Sequence, residues 1–189
     1  MRYAFFPGCT VLARFPGYEM STRKVADRLD IELVEMPGSS CCGTTYLETL
    51  DHKTALAMAA RNICIAEDMG LDIVTICNGC TEALTKANRA LKEDPQLMAE
   101  VNEVLADVGR QFKGTIEVRH LVRMLKEDVS LEKIKSEIKT PLDGLKVGSH
   151  YGCHLLKPSE VMDFDDPEAP TSLDALVELT GAESVAYPS

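Results

Sequence analysis

The stretch Leu71-Asp72-Ile73-Val74-Thr75-Ile76-Cys77-Asn78-Gly79-Cys80 decides the fold of this 189-residue sequence. Its first six residues form a short, largely β-branched apolar run, the pattern of a buried strand. The run ends on C-x-x-C, and residues 81–90 continue at helical spacing. Upstream, residues 51–69 place Leu56, Ala59, Ala60, Ile63 and Ala66 on one helical stripe, with Gly70 where a helix C-terminal glycine stands. Residues 3–6 and 31–36 are further strand candidates. They stop at Pro7-Gly8 and Pro37-Gly38, and both turns lead into cysteine. A helix is expected over residues 21–29 between them. Downstream, 95–108 reads as a helix opening on Pro95, 116–118 as a strand, and 120–128 and 131–138 as helices. The alternation β, α, β, α, β, α predicts an α/β fold of mainly parallel sheet units with flanking helices.

Apolar residues make up 45% and charged residues 26% of the chain, which suits one or two packed globular units. The net charge of -10 is unsuited to a general nucleic-acid binder, which needs a basic surface for phosphates. That charge is uneven. Residues 158–189 hold eight acids and no Lys or Arg, leaving 22 acids against 20 bases before them. Such a run commonly forms a solvated loop and helix face; partner docking is the alternative. No apolar run approaches the ~20 residues of a membrane helix. Residues 1–6 are apolar but end at Pro7-Gly8, short of the ~7 to 15 residue core of a secretion signal. The expectation is a cytoplasmic protein without membrane insertion, whose seven thiols stay reduced and whose clustered cysteines serve metal or redox chemistry.

Residues 140–144, with Pro141, Asp143 and Gly144, form the best boundary candidate, giving domains 1–142 and 143–189. The second of these echoes the first. Residues 145–153 read as a strand ending in Gly152-Cys153, as residues 2–9 end in Gly8-Cys9. A helix over 172–179 then leads through Gly181 to 183–189, resembling 30–39.

Cys9, Cys41-Cys42 and Cys77-x-x-Cys80 all fall at strand ends. In a parallel sheet these ends face one crevice, so five thiols distant in sequence converge. C-x-x-C alone suits a thioredoxin-like pair, half a zinc site or an iron–sulfur site. Neighbouring side chains in an extended segment point to opposite sides, so Cys41-Cys42 serves one small ion poorly and a multinuclear cluster well. Five thiolates also exceed the four of a closed zinc site. Cys80 is expected at a helix start, where N–H groups and the macrodipole favour thiolate. Gly43 and Gly79 are expected to let the backbone approach a bulky cofactor and to offer N–H donors to sulfur. Cys64, amid Ile63, Ile65 and Ala60, reads as a core thiol. Cys153 reads as a ligand through the repeat. His154 beside it is a candidate proton donor, although a satisfied strand-end histidine is equally in keeping. His52, His120 and His150 lack ligand spacing and suit helix-face or core roles.

This pattern, with 31 residues between Cys9 and Cys41-Cys42-Gly43 and 34 between Cys42 and Cys77-x-x-Cys80, resembles the cysteine-rich CCG domain. Tyr3-Ala4-Phe5-Phe6-Pro7-Gly8-Cys9 and Tyr18-Glu19-Met20-Ser21 are similar to the B-type subunits of the CoB–CoM heterodisulfide reductases of methanogenic archaea, over essentially the whole chain. The resemblance implies a tandem CCG repeat, each copy holding a non-cubane 4Fe-4S cluster. Cys9, Cys41, Cys42, Cys77 and Cys80 would bind the first cluster, and Cys153 would begin the second. The cysteine pair and C-x-x-C expected after Cys153 are not among these 189 residues. The second repeat is thus expected to be truncated just ahead of that pair.

The resemblance further implies reduction of the coenzyme M–coenzyme B heterodisulfide to two thiols in methanogenesis, the disulfide held between two clusters. A disulfide takes two electrons, clusters transfer one each, and iron facing each sulfur stabilises the separating thiolates. Implied partners are the C-type heterodisulfide reductase subunit with 4Fe-4S clusters, the flavin-containing A-type subunit, and a hydrogenase or formate dehydrogenase upstream. Both coenzymes are anionic, so Arg14, Arg23, Lys24 and Lys157 are candidate contacts, each equally suited to ordinary surface. His154 is the candidate proton source. Alternatives are an iron–sulfur subunit of a glycolate or lactate oxidase or of a thiol:fumarate reductase, and a non-enzymatic zinc or thiol scaffold.

Overall fold

Apolar strands that end in turns leading to cysteine form the centre of the fold. The structure, a computed structural model, describes residues 1–186. The chain divides into two compact units, Met1–His120 and the residues from Leu121 onward. In the first, β1 (Arg2–Phe6) is followed by α1 (Cys9–Arg14), α2 (Pro16–Arg28) and β2 (Glu32–Glu35). Then come α3 (Thr44–Leu50), α4 (His52–Met69), β3 (Ile73–Thr75), α5 (Asn78–Glu93), α6 (Pro95–Ala106) and β4 (Val118–His120).

These four strands make one parallel sheet in the order β2-β1-β3-β4, with Ala4 opposite both Val34 and Ile73, and Thr75 opposite His120. The chain runs from β1 to one side for β2 and to the other for β3. The topological switch point therefore lies between β1 and β3, where open parallel sheets bind ligands. Consecutive residues Ala4, Phe5 and Phe6 are buried, as are Ile73, Val74 and Thr75. Parallel strands covered on both faces show this continuous burial.

Helix α4 is the main buttress. Asp51 caps it by accepting from the Thr54 N–H, and Gly70 closes it in the left-handed region at φ 64°. Its burial extends beyond the predicted stripe to Ala57, Asn62, Cys64 and Ile65, because α3, α5 and α6 all pack on it. Each fully buried aliphatic such as Ile63 contributes about 1.5–3 kcal/mol. Two boundaries differ from the sequence reading. Helix α2 starts at Pro16 rather than near Ser21, because proline's fixed φ suits a first helical turn. Strand β4 begins at Val118, not Ile116, whose carbonyl accepts from the Asn88 and Lys92 side chains instead of a ladder partner.

The second unit comprises α7 (Leu121–Glu127), α8 (Leu131–Glu137), β5 (Lys146–Val147), α9 (Cys153–Leu156), α10 (Ser159–Met162), α11 (Ser172–Leu179) and β6 (Glu183–Ser184). The strand read over 145–153 is only two residues long. The unit boundary at 120/121 precedes the repeat boundary proposed near 142. Helices α7 and α8 both pack on α11, and Lys126 Nζ donates to Ser172 Oγ at 2.6 Å, so they belong to the second unit. Its small core gathers Tyr151, Leu155, Leu156 and Phe164.

The internal echo has a backbone counterpart. Gly8 (φ 84°, ψ 143°) and Gly152 (φ 72°, ψ 142°) are each the N-cap of a helix whose first residue is cysteine. Strand β6 pairs parallel with β5, as β2 does with β1. The Tyr187-Pro188-Ser189 end of the echo lies outside the described residues.

Candidate metal centre at the strand ends

The turn after β1 brings Gly8 against the C-x-x-C that follows β3. A Cβ at Gly8 would lie 3.0 Å from Cys77 Cβ and 3.0 Å from Cys80 Sγ. Only glycine permits both this contact and a φ of 84°. The close-approach glycine is therefore Gly8. At Gly79, expected from sequence to admit a bulky cofactor, a Cβ would be in ordinary contact with Thr44 Cγ2 at 3.7 Å. Cys77 is the N-cap of α5, and Cys80 lies in its first turn. The hydroxyls of Thr75 and Thr81 are 2.6 Å apart, so that one donates to the other, and they lie 3.2 and 3.0 Å from the Cys77 carbonyl oxygen, which accepts from the remaining hydroxyl and ties strand to helix.

The segment after β2 carries the vicinal pair. Gly43, in the left-handed region at φ 89°, caps α3. Its N–H donates to the Cys41 sulfur, and the Thr44 N–H donates to the Cys42 sulfur. Cys41 is exposed and Cys42 buried, as expected of neighbours in extended backbone. Beneath them lies Asn62 of α4, fully buried, whose Oδ1 accepts from the Ser40 N–H at 2.9 Å. Its Nδ2 faces the carbonyls of Ser40, Cys41 and Met58 at 3.2, 3.4 and 3.1 Å.

The five thiols form two hydrogen-bonded groups, linked by the charge interaction between the neighbours Cys41 and Cys42. Cys9 hydrogen-bonds Cys41, Cys42 hydrogen-bonds Cys80, and Cys80 also contacts Cys77. The hydrogen bond from Cys80 holds Cys42 down at about 7, against burial, with help from the Thr44 N–H. Cys80 is pushed strongly up by the hydrogen bonds to Cys42 and Cys77 and by burial. At Cys41 the Gly43 N–H favours thiolate, but burial and the charges of Cys42 and Cys9 outweigh it and raise the pKa. Thiols packed this closely cannot all ionise unless a cation neutralises them.

The donor set fits a polynuclear iron–sulfur group. It supplies five sulfurs from three strand ends, backbone N–H donors to two of them, and a turn at Gly8 that a side chain would obstruct. Among the described residues, no three His, Cys, Asp or Glu side chains are grouped to hold a single metal ion.

Elsewhere, Cys153 is exposed at the start of α9 in the second unit, with His154 exposed beside it. Cys64 is 1% exposed within α4, and burial pushes its thiol up to about 12, the behaviour of a core thiol. His120 is buried at the end of β4, while His52 and His150 are exposed. Arg14 lines an open cleft with Cys9, Thr10, Ala13 and Phe15. Arg23 is held by Glu19 and Glu35 and lies 4.7 Å over the Phe5 ring. Lys24 is exposed, and Lys157 pairs with Glu168 at 2.8 Å. Sequence reasoning missed Asn62, Thr75 and Thr81. A polar residue inside an otherwise apolar stripe or strand was the available signal.

Comparison with known proteins places this geometry in a family. The cysteine-rich CCG domain model matches residues 3–85 and 147–189. The chain is 46% identical over 187 residues to the B-type subunit of the Ferredoxin/F(420)H(2)-dependent CoB-CoM heterodisulfide reductase of Methanosarcina acetivorans, covering 98% of this chain and 62% of that protein. It is 30% identical over 96 residues to a probable glycolate oxidase iron-sulfur subunit of Bacillus subtilis, covering 50% of this chain and 22% of that one. The crystal structure of a hypothetical protein from Helicobacter pylori shares the fold, with a TM-score of 0.74 at 16% identity over 99% of this chain and 33% of that one. The chain therefore spans about three-fifths of the length of the heterodisulfide reductase subunit it matches. By its two matched segments and the cysteines they carry, the chain belongs to the CCG cysteine-rich domain family.

Proposed function

We propose that this chain is the cluster-binding part of a B-type subunit of CoB–CoM heterodisulfide reductase. The observation that carries the reading is the gathering of Cys9, Cys41, Cys42, Cys77 and Cys80 at the sheet's switch point. The 46% identity to a subunit with that name supports the substrate class. In this reading the five thiolates hold a non-cubane 4Fe-4S cluster, and Cys153 is the first ligand of a second one. When bound, the group supplies single electrons and iron sites that stabilise thiolate sulfur.

The chain's own residues do the rest. The N–H groups of Gly43 and Thr44 donate to the Cys41 and Cys42 sulfurs and lower the charge the site must bear. Arg14, in the cleft beside Cys9, offers a cation to an anionic coenzyme. The net reaction adds two electrons and two protons across one S–S bond and releases two thiols, and His154 is the proposed source of one proton. The electrons would come through the 4Fe-4S protein of C type and the flavoprotein of A type in the same complex, with a hydrogenase or formate dehydrogenase upstream. A cytoplasmic location is part of the proposal; no helix among the described residues is long and apolar enough to cross a membrane.

A second reading, an iron–sulfur subunit of a glycolate or lactate oxidase, is favoured only by the half-length likeness to the Bacillus subtilis protein. Anaerobic loading with iron and sulfide distinguishes the outcomes. The expected product is brown, with about four irons per chain from the complete motif. Stoichiometric zinc without iron overturns the cluster. Within the reassembled complex, dye-driven cleavage of the heterodisulfide supports the first reading, and electron uptake from a 2-hydroxy acid instead supports the second.

A further inference from the structure

We propose that Asn62 is the positioning residue for the vicinal thiols, a buried amide on α4 that fixes the Ser40–Cys41 backbone and so sets where Cys41 and Cys42 stand. The inference rests on the cluster-binding reading for its purpose, but its geometry stands by itself. Between the end of β2 and the cap of α3, the chain runs through residues 36–43 without regular structure. Such a segment has backbone freedom that would scatter the two sulfurs.

Asn62 removes that freedom. Its amide is fully buried, accepts from the Ser40 N–H and donates into the Ser40 and Cys41 carbonyls, while the Met58 carbonyl one turn earlier anchors it to its own helix. Arg61, the preceding residue, adds a bond from Nη1 to Ser40 Oγ at 3.2 Å. A buried amide that shares its donors and acceptor with a loop backbone fixes position more strongly than apolar packing does, because any displacement leaves buried polar groups unpaired. The hydrogen bonds of Asn62 go to backbone groups. Its effect reaches the site only through the backbone carrying Cys41 and Cys42.

The test uses the whole chain without metal and after iron–sulfide loading. Asn62→Asp keeps the acceptor but turns a carboxylate oxygen toward the Ser40 and Cys41 carbonyls. Asn88→Asp is the comparator, since Asn88 is also buried and its Nδ2 donates to the Ile116 carbonyl at 3.0 Å, away from the thiols. In the metal-free chain, iodoacetamide labelling of Cys41 and Cys42, followed by peptide mass spectrometry, is expected to speed up about fivefold or more in Asn62→Asp and to stay at the wild-type rate in Asn88→Asp. Iron bound after loading is expected to fall by half or more in the first and to hold in the second. Equal labelling and equal iron in the two variants would overturn the proposal.

Amide exchange of the wild-type chain covers the case in which neither variant folds. The Ser40 N–H should exchange as slowly as the α4 core, and exchange at the rate of an open loop amide refutes the clamp. A wild type that binds no iron yet labels as expected rejects the cluster reading and leaves the positioning role in place.

Discussion

Replacing Gly8 with alanine tests the site's geometry without removing any thiol. At φ 84° and ψ 143°, Gly8 occupies backbone space that L-residues avoid, and a methyl there costs about 1–3 kcal/mol in conformation alone. The methyl would also lie 3.0 Å from Cys77 Cβ and Cys80 Sγ, two atoms held by the β3–α5 junction and unable to yield cheaply. Overpacking of this kind adds about 1–3 kcal/mol. Together these come to about 2–6 kcal/mol, which at about 2–4 °C per kcal/mol for a chain of this size lowers the midpoint by about 4–24 °C. The control is Gly17→Ala. Gly17 lies exposed in α2 with nothing within 4 Å of its would-be Cβ, and alanine there gains about 0.5–1 kcal/mol. Thermal unfolding of the metal-free chains followed by circular dichroism reads both. A Gly8→Ala chain melting at or above wild type refutes the claim that the β1 turn and the C-x-x-C are in forced contact.

Three further outcomes are expected. Burial lowers the His120 imidazole to about 4 from its ordinary 6.5, so the folded state holds it neutral while the unfolded chain takes up a proton. Its contribution to stability is full above pH 6.5 and is lost as pH falls toward 4. Urea titrations should therefore show about 3 kcal/mol of acid sensitivity that His120→Gln removes. Cys42→Ser should cut bound iron by more than half, whereas Cys64→Ala should leave iron unchanged and cost about 1–2 kcal/mol from a small core cavity; equal iron in both variants rejects the distinction between ligand and core thiol. His154→Ala in the assembled complex should slow heterodisulfide turnover and shift its pH profile, and an unchanged profile eliminates His154 as proton source.

Much of the site was legible because its logic is local. A strand, a Pro-Gly turn and a cysteine recur at Phe6-Pro7-Gly8-Cys9 and Met36-Pro37-Gly38 before Cys41-Cys42, a third strand runs into Cys77, and parallel strands necessarily present such ends to one crevice. The strand cores and α4 followed from apolar runs and spacing. Short helices did not. α1 and α3 have six and seven residues, too few for periodicity to register, and they form because glycines with positive φ start them beside the thiols. Sequence marks Gly8 as a turn but not as a point of close approach, since its decisive neighbour lies some 70 residues away in sequence. Asn62 was hidden for the same reason: inside the apolar stripe of α4 it looks like an interruption, and its meaning comes from a loop 22 residues earlier.

The two-stranded sheet of the second unit has a consequence for association. In the first unit β1 is flanked on both sides, by β2 and by β3. Its counterpart β5 is paired with β6, and among the described residues no strand occupies its other side. By analogy with β1, that side of the two-residue strand has the polarity to take a third, parallel strand, as β1 takes β3.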